Sequence, residues 1–171
     1  MKIITLIFFF LINLSNFSSA QEKIVFLNVN YIYNNSISGK KASDTIQTKI
    51  KTLENDVKKF SKSINSNKEK LSKQKNILSK NDFKKKFNDI EIKIIEFNKK
   101  IKIRNDEIVK LKKNVRSKFV EELRKILSEY SSNNSIQLII EQENVLIGSN
   151  KLNITNDILK IVDSRKIKLI N

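Results

Sequence analysis

The residues able to do chemistry in this chain are few in kind. There is no cysteine and no histidine. Their absence removes thiol nucleophiles, Ser-His-Asp triads, zinc-finger ligands and haem ligation. Carboxylates, lysines, tyrosines and serines remain. The carboxylates come in small groups: Asp89 with Glu91, Asp106 with Glu107, Glu121 with Glu122. Such groups could serve acid–base catalysis or hold a divalent cation. Each has lysines at helical spacing beside it, however, which is the pattern of solvated ion pairs. With two glycines in the whole chain, there is no loop to cradle a phosphate. The sequence reads as a non-enzyme with no cofactor and no metal.

The lysines are the second candidate. Lys+Arg number 34 against 18 Asp+Glu, a formal charge of +16, and such a balance favours anionic partners. The excess is uneven, with 11 basic and two acidic residues between 58 and 86. An even compositional bias would not produce that concentration. Lys84, Lys85 and Lys86 are its densest run and the expected contact with an anionic surface, either lipid or lipopolysaccharide head groups. Nucleic acid is not expected, because no stacking aromatic platform accompanies the lysine runs and the N-terminus reads as an export signal.

These residues need elements to carry them. Residues 1–20 have a basic Lys2, an apolar run through Phe8, Phe9 and Phe10, and small residues at Ser18, Ser19 and Ala20. That is the pattern of a signal peptide, with cleavage expected after Ala20; its apolar run is short for a bilayer span, and an uncleaved anchor is the alternative. The exported chain is then expected in the periplasm. Residues 23–29 are nearly all apolar, β-branched or aromatic, the pattern of a buried strand. Asn34, Asn35, Ser36, Ser38 and Gly39 read as a loop.

Two long seams follow, and with no proline anywhere in the chain long helices run without a breaker. The first steps by fours and threes from Ile46 through Ile50, Leu53, Val57, Phe60 and Ile64 to Leu78. The second runs from Phe83 through Phe87, Ile90, Ile94, Phe97, Ile101, Arg104 and Ile108 to Tyr130. These are heptad-like repeats. Between them Ser79, with Asp82 three residues on, is a capping-box-like start signal. The expectation is a helical hairpin over 40–131 turning near 79–82, so that each seam buries the other.

Beyond it, Ile136, Leu138 and Ile140 form a strand, and Val145 and Ile147 a second one turned at Glu143-Asn144. Thr155 caps a short helix, and 164–171 reads as a ragged basic tail. Residues 21–39 and 132–171 make a body too small to be stable alone. Its strand edges need covering, and oligomerisation would provide that.

In the order of all its parts the chain resembles the OmpH/Skp family of periplasmic chaperones. The opening KIVFLNVNYIYNNSISGKKA is similar to that family's strand, loop and helix entry at Gly39 and Lys40. The run LIIEQENVLIGSNKLNITNDILK is similar to its C-terminal strands and a helix start at Ile154, Thr155, Ile158 and Leu159. The resemblance implies a mainly α fold with a small β body, in which three protomers share a β-barrel and their arms enclose a cavity. Its expected function is ATP-independent holding of unfolded outer-membrane proteins. Ile24, Phe26, Val29, Leu138 and Ile140 are then expected in the trimer body.

Ile92, Ile95, Ile103, Val109, Val120 and Leu127 lie off the seam and widen the apolar face of the second helix. Of these, Ile92, Ile95 and Ile103 are the candidates for touching clients in the cavity. A structural coiled-coil protein of the envelope is the alternative.

Overall fold

The computed structural model describes residues 23–170, so the expected signal peptide lies outside the described residues. Strand β1 (Lys23–Leu27) is shorter than its apolar run. The Asn28 side chain accepts a hydrogen bond from the Tyr31 amide at 2.7 Å, and this cap starts a helix inside the run. Val29, expected to extend the strand, is the first residue of helix α1 (Val29–Asn35).

The loop expected over 34–39 contracts to one residue. Ser36 caps helix α2 (Ile37–Lys73) by accepting from the Gly39 amide at 3.1 Å, and its hydroxyl donates to the Tyr33 carbonyl at 3.2 Å. This doubling back brings the end of α1 so close to α2 that a Cβ on Gly39 would overlap the Tyr33 carbonyl oxygen. Only glycine fits there.

Helix α2 ends at Lys73, and α3 (Lys80–Asn133) begins after a short turn. Ser79 caps α3 by accepting from the Asp82 amide at 3.1 Å and donating to the Asp82 carboxylate at 2.7 Å. At 1.5 Å per residue the two helices are about 56 Å and about 81 Å long. They form a long hairpin. Ile46, Leu53, Ile64 and Leu71 are buried from α2, and Ile90, Ile108 and Val115 from α3. Val57 and Phe87 are exposed although they belong to the seams; a 3.6-residue helix drifts off a strict seven-residue repeat, and the apolar line turns outward there.

The far end of α3 enters the body, where Phe119, Leu123 and Ile126 are fully enclosed. Ser135, in the left-handed region at φ 53°, turns the chain into β2 (Ile136–Glu141). This strand runs parallel to β1, pairing Ile24 with Leu138, Val25 with Ile139 and Phe26 with Ile140. Parallel pairing needs a crossover, and here the crossover includes the whole arm.

The expected second strand after β2 is not formed. Glu143 and Asn144 sit in a 3-10 turn (Gln142–Asn144), and Val145 and Ile147 are in no strand. The other side of β1 is taken by a later segment. The Ile154 amide donates to the Phe26 carbonyl at 2.9 Å, and the Asn28 amide to Thr155 Oγ1 at 2.9 Å. Thr155, expected as a cap, is instead the first residue of helix α4 (Thr155–Ser164). Among the described residues the sheet is a parallel pair, not a closed barrel. The core gathers Val25, Leu27, Ile32, Phe119, Ile158 and Val162. It also includes Leu169, so the tail is not ragged.

Candidate functional site

The arm carries two apolar surfaces. Its inner seam is consumed by the hairpin: Ile64, Leu71 and Ile90 form a distal cluster with Phe60, Leu78, Phe83 and Ile94 packed around it. Phe60 and Phe97 stack in this region. The outer surface is different. Ile92, Ile95 and Ile103 are 52%, 65% and 50% exposed. At about 100° per residue they lie well away from the line of Ile90, Ile94, Phe97, Ile101 and Ile108 that faces α2. The three isoleucines are thus left uncovered by the hairpin, and Val109 is exposed as well. Of the other off-seam residues, Leu127 packs against the body core and Val120 is half-buried.

Arg104 is the polar member of the second seam. Its Nη1 is 2.6 Å from Asp56 Oδ2 on α2. This hydrogen bond holds the Asp56 carboxyl below its ordinary value, helped by the charges of Arg104, Lys59 and Lys100. The spacing of the seam located Arg104, but its partner Asp56 lies off the first seam and gave no periodic signal.

The tip is basic and unneutralised. Lys84, Lys85 and Lys86 are exposed, and the Lys86 ammonium reaches only Gln74 Oε1, at 3.5 Å. Among the described residues no lysine between 58 and 86 is in an ion pair; the pairs lie at Asp56–Arg104, at Lys125 with Glu121 and Glu122, and at Glu129–Arg165. The carboxylate groups seen in the sequence do not converge, and no cluster of three or more potential ligands forms among the described residues. Nor is any described helix long and apolar enough to cross a membrane.

The body presents the third surface. Alternation along β1 turns Val25 and Leu27 into the core and Ile24 and Phe26 to the opposite face. Their register partners Leu138 and Ile140 lie on that same face. Four of the five residues expected in the trimer body therefore share one side of the sheet, while Val29 packs from α1 against the core. Ile24 and Leu138 are exposed, whereas Phe26 is buried and its ring lies close to Gly148. Leu146 and Ile147, in the loop after β2, are almost wholly exposed. The strand pair and the loop after it thus leave Ile24, Leu138, Leu146 and Ile147 uncovered.

A family model described as outer membrane protein (OmpH-like) matches residues 23–162. The chain belongs to the OmpH family. The match opens on the first residue of β1 and closes inside α4, so it spans the body and the entire arm. The OmpH-like fold is also that of a candidate outer membrane chaperone from Caulobacter crescentus CB15. The two superpose with a TM-score of 0.80 over 88% of each chain, at 15% identity. At that identity the likeness speaks for the fold. The curated proteins yield no match.

Proposed function

We propose that this OmpH-family protein is an ATP-independent holdase of the periplasm. It binds unfolded outer-membrane proteins between helical arms and prevents their aggregation. The observation that carries the reading is the line of Ile92, Ile95 and Ile103, each at least half exposed on an arm whose own seam is already filled. Contacts of this kind are individually weak and non-directional, which suits a chaperone that must hold many sequences and release them without nucleotide.

The working unit in this reading is a homotrimer. Ile24, Leu138, Leu146 and Ile147 support it, since a second and third copy would bury them and close the sheet. Phe26, Ile140 and Val29 complete the shared body. The lysine-rich tips then serve to attract acidic client segments and anionic lipid or lipopolysaccharide head groups. The signal-peptide pattern over 1–20 supports export to the periplasm.

The test is to dilute a denatured outer-membrane β-barrel protein into buffer with and without this protein and follow light scattering. Suppression at one trimer per client is expected. In the Ile92→Ser, Ile95→Ser, Ile103→Ser variant, suppression weakens while helix content and oligomeric state persist. Full aggregation in the presence of the parent protein would overturn the reading in favour of a structural coiled coil of the envelope.

A further inference from the structure

The family match stops at residue 162, yet the chain continues in an ordered path. Helix α4 closes with the Arg165 amide bonded to the Ile161 carbonyl at 3.1 Å and the Lys166 amide to the Asp163 carbonyl at 3.4 Å. Lys166 adopts a left-handed conformation, φ 47°. This is the geometry of a helix C-terminus that reverses the chain, and an unconstrained lysine rarely adopts it. The reversed segment runs against the start of α2. Leu169 is only 7% exposed and shares a core with Ala42 and Ile46, and Ile167 and Ile170 pack beside it.

Two polar contacts reinforce the seat. Asp163 Oδ1 accepts from the Ile37 amide at 2.8 Å. That amide is in the first turn of α2, where no helical carbonyl is available and a negative charge is favourable. Arg165 forms a two-pronged pair with Glu129 on α3, which holds the Glu129 carboxyl below its ordinary value. The segment therefore grips both helices of the arm at their roots. Its grip on α2 is one-sided. A groove of 970 Å³ stays open between the tail and α2, lined by Ile37, Lys41 and Thr45 on one wall and Lys166, Ile167 and Lys168 on the other. Leu169 is the one buried side chain of residues 163–170, and Ile167 and Ile170 are half-buried.

We propose that residues 163–170 form a latch, with Leu169 as its bolt, that fixes the root of α2 against the body. When the latch lifts, the first turns of α2 loosen, while β1, the enclosed part of α3 and the pairing of the arm beyond Leu53 keep their structure. The latch lies past the end of the family match at residue 162 and does not depend on client binding.

Hydrogen exchange by mass spectrometry on the full-length chain tests it. Leu169→Asp is expected to speed exchange of amides 37–46 by about tenfold or more, the mark of a local opening. Amides of β1 and of residues 119–126 keep the parent rates. Leu169→Ile keeps parent rates throughout. Asp163→Ala removes the cap without touching the core and is expected to speed only the first turn of α2. Parent rates over 37–46 in both Leu169→Asp and Asp163→Ala would overturn the latch. So would an equal rise across β1 and 119–126, which would make Leu169 an integral part of one cooperative core.

Discussion

The rings of Phe60 on α2 and Phe97 on α3 lie face to face across the hairpin, with centroids 3.7 Å apart and planes 9° from parallel. Both are half-buried, because a hairpin of two helices has no third layer to cover its seam. Phe97→Ala is expected to cost about 1–3 kcal/mol, less than the roughly 3–5 kcal/mol typical of an enclosed phenylalanine. The loss is local: amide exchange rises from the stack to the tip and keeps parent rates in the body. Uniform exchange along the whole arm would show that the arm opens as one unit.

Gly39 is held by backbone proximity. A methyl group at this position runs into the Tyr33 carbonyl oxygen, and neither backbone can yield without parting α1 from α2. Gly39→Ala is expected to lower stability by about 1–3 kcal/mol, as overpacking does, despite the gain in helix propensity. Thermal unfolding compared with Ser38→Ala measures it. A rise in the midpoint would contradict the contact.

The Asp56–Arg104 pair gives the arm a pH dependence of known sign. The folded-state pKa of Asp56 is depressed, chiefly by its hydrogen bond to Arg104. Its contribution is therefore fully present above the unfolded-state value, about 3.9, and is lost as pH falls through the folded-state value. Parent and Asp56→Asn are expected to differ in urea unfolding at neutral pH, with the parent more stable. The gap closes on acidification below the ordinary aspartate range. A gap independent of pH would mean that the carboxylate charge plays no part.

The tip lysines predict a salt-dependent association. Replacing Lys84, Lys85 and Lys86 with Gln removes three charges and keeps helix propensity. Binding to anionic vesicles at low salt is expected to fall, by roughly 1 kcal/mol per residue that contacts the surface, and its salt slope to flatten. Thermal stability stays at the parent value. An unchanged salt slope would reduce these lysines to solvated surface.

How much of this could be read beforehand depended on the range of the interactions. The two seams and the Ser79–Asp82 capping signal are local, and they led to the helical hairpin. The end of β1 was not legible from apolar pattern alone, since residues 23–29 are apolar almost throughout and one Asn28 side-chain bond starts the helix within them. The partner of β1 was harder still. The local signals at Glu143 and Asn144 suggested a hairpin, but the site beside β1 is filled by Asn153, Ile154 and Thr155, and no local pattern encodes that competition. The missed tail did leave a trace. Ile167 and Leu169 alternate with lysines, the period of an extended segment with one buried side. Ile92, Ile95 and Ile103 were legible as residues outside the seam; that they lie uncovered on the arm needed the geometry of both helices.

The pairing of β1 with β2 joins residues about 110 positions apart in the chain, so the sheet depends on whatever brings its two strands together. Closing so long a loop at random is entropically expensive. The intervening hairpin needs only contacts that zip outward from its own turn, the kind that form fast. Once zipped, it carries the start of α2 and the end of α3 to the same place and delivers the two strands to each other. A hairpin that forms in this way is expected to protect its amides before β1 and β2 do, and pulse-labelled hydrogen exchange during refolding measures that order.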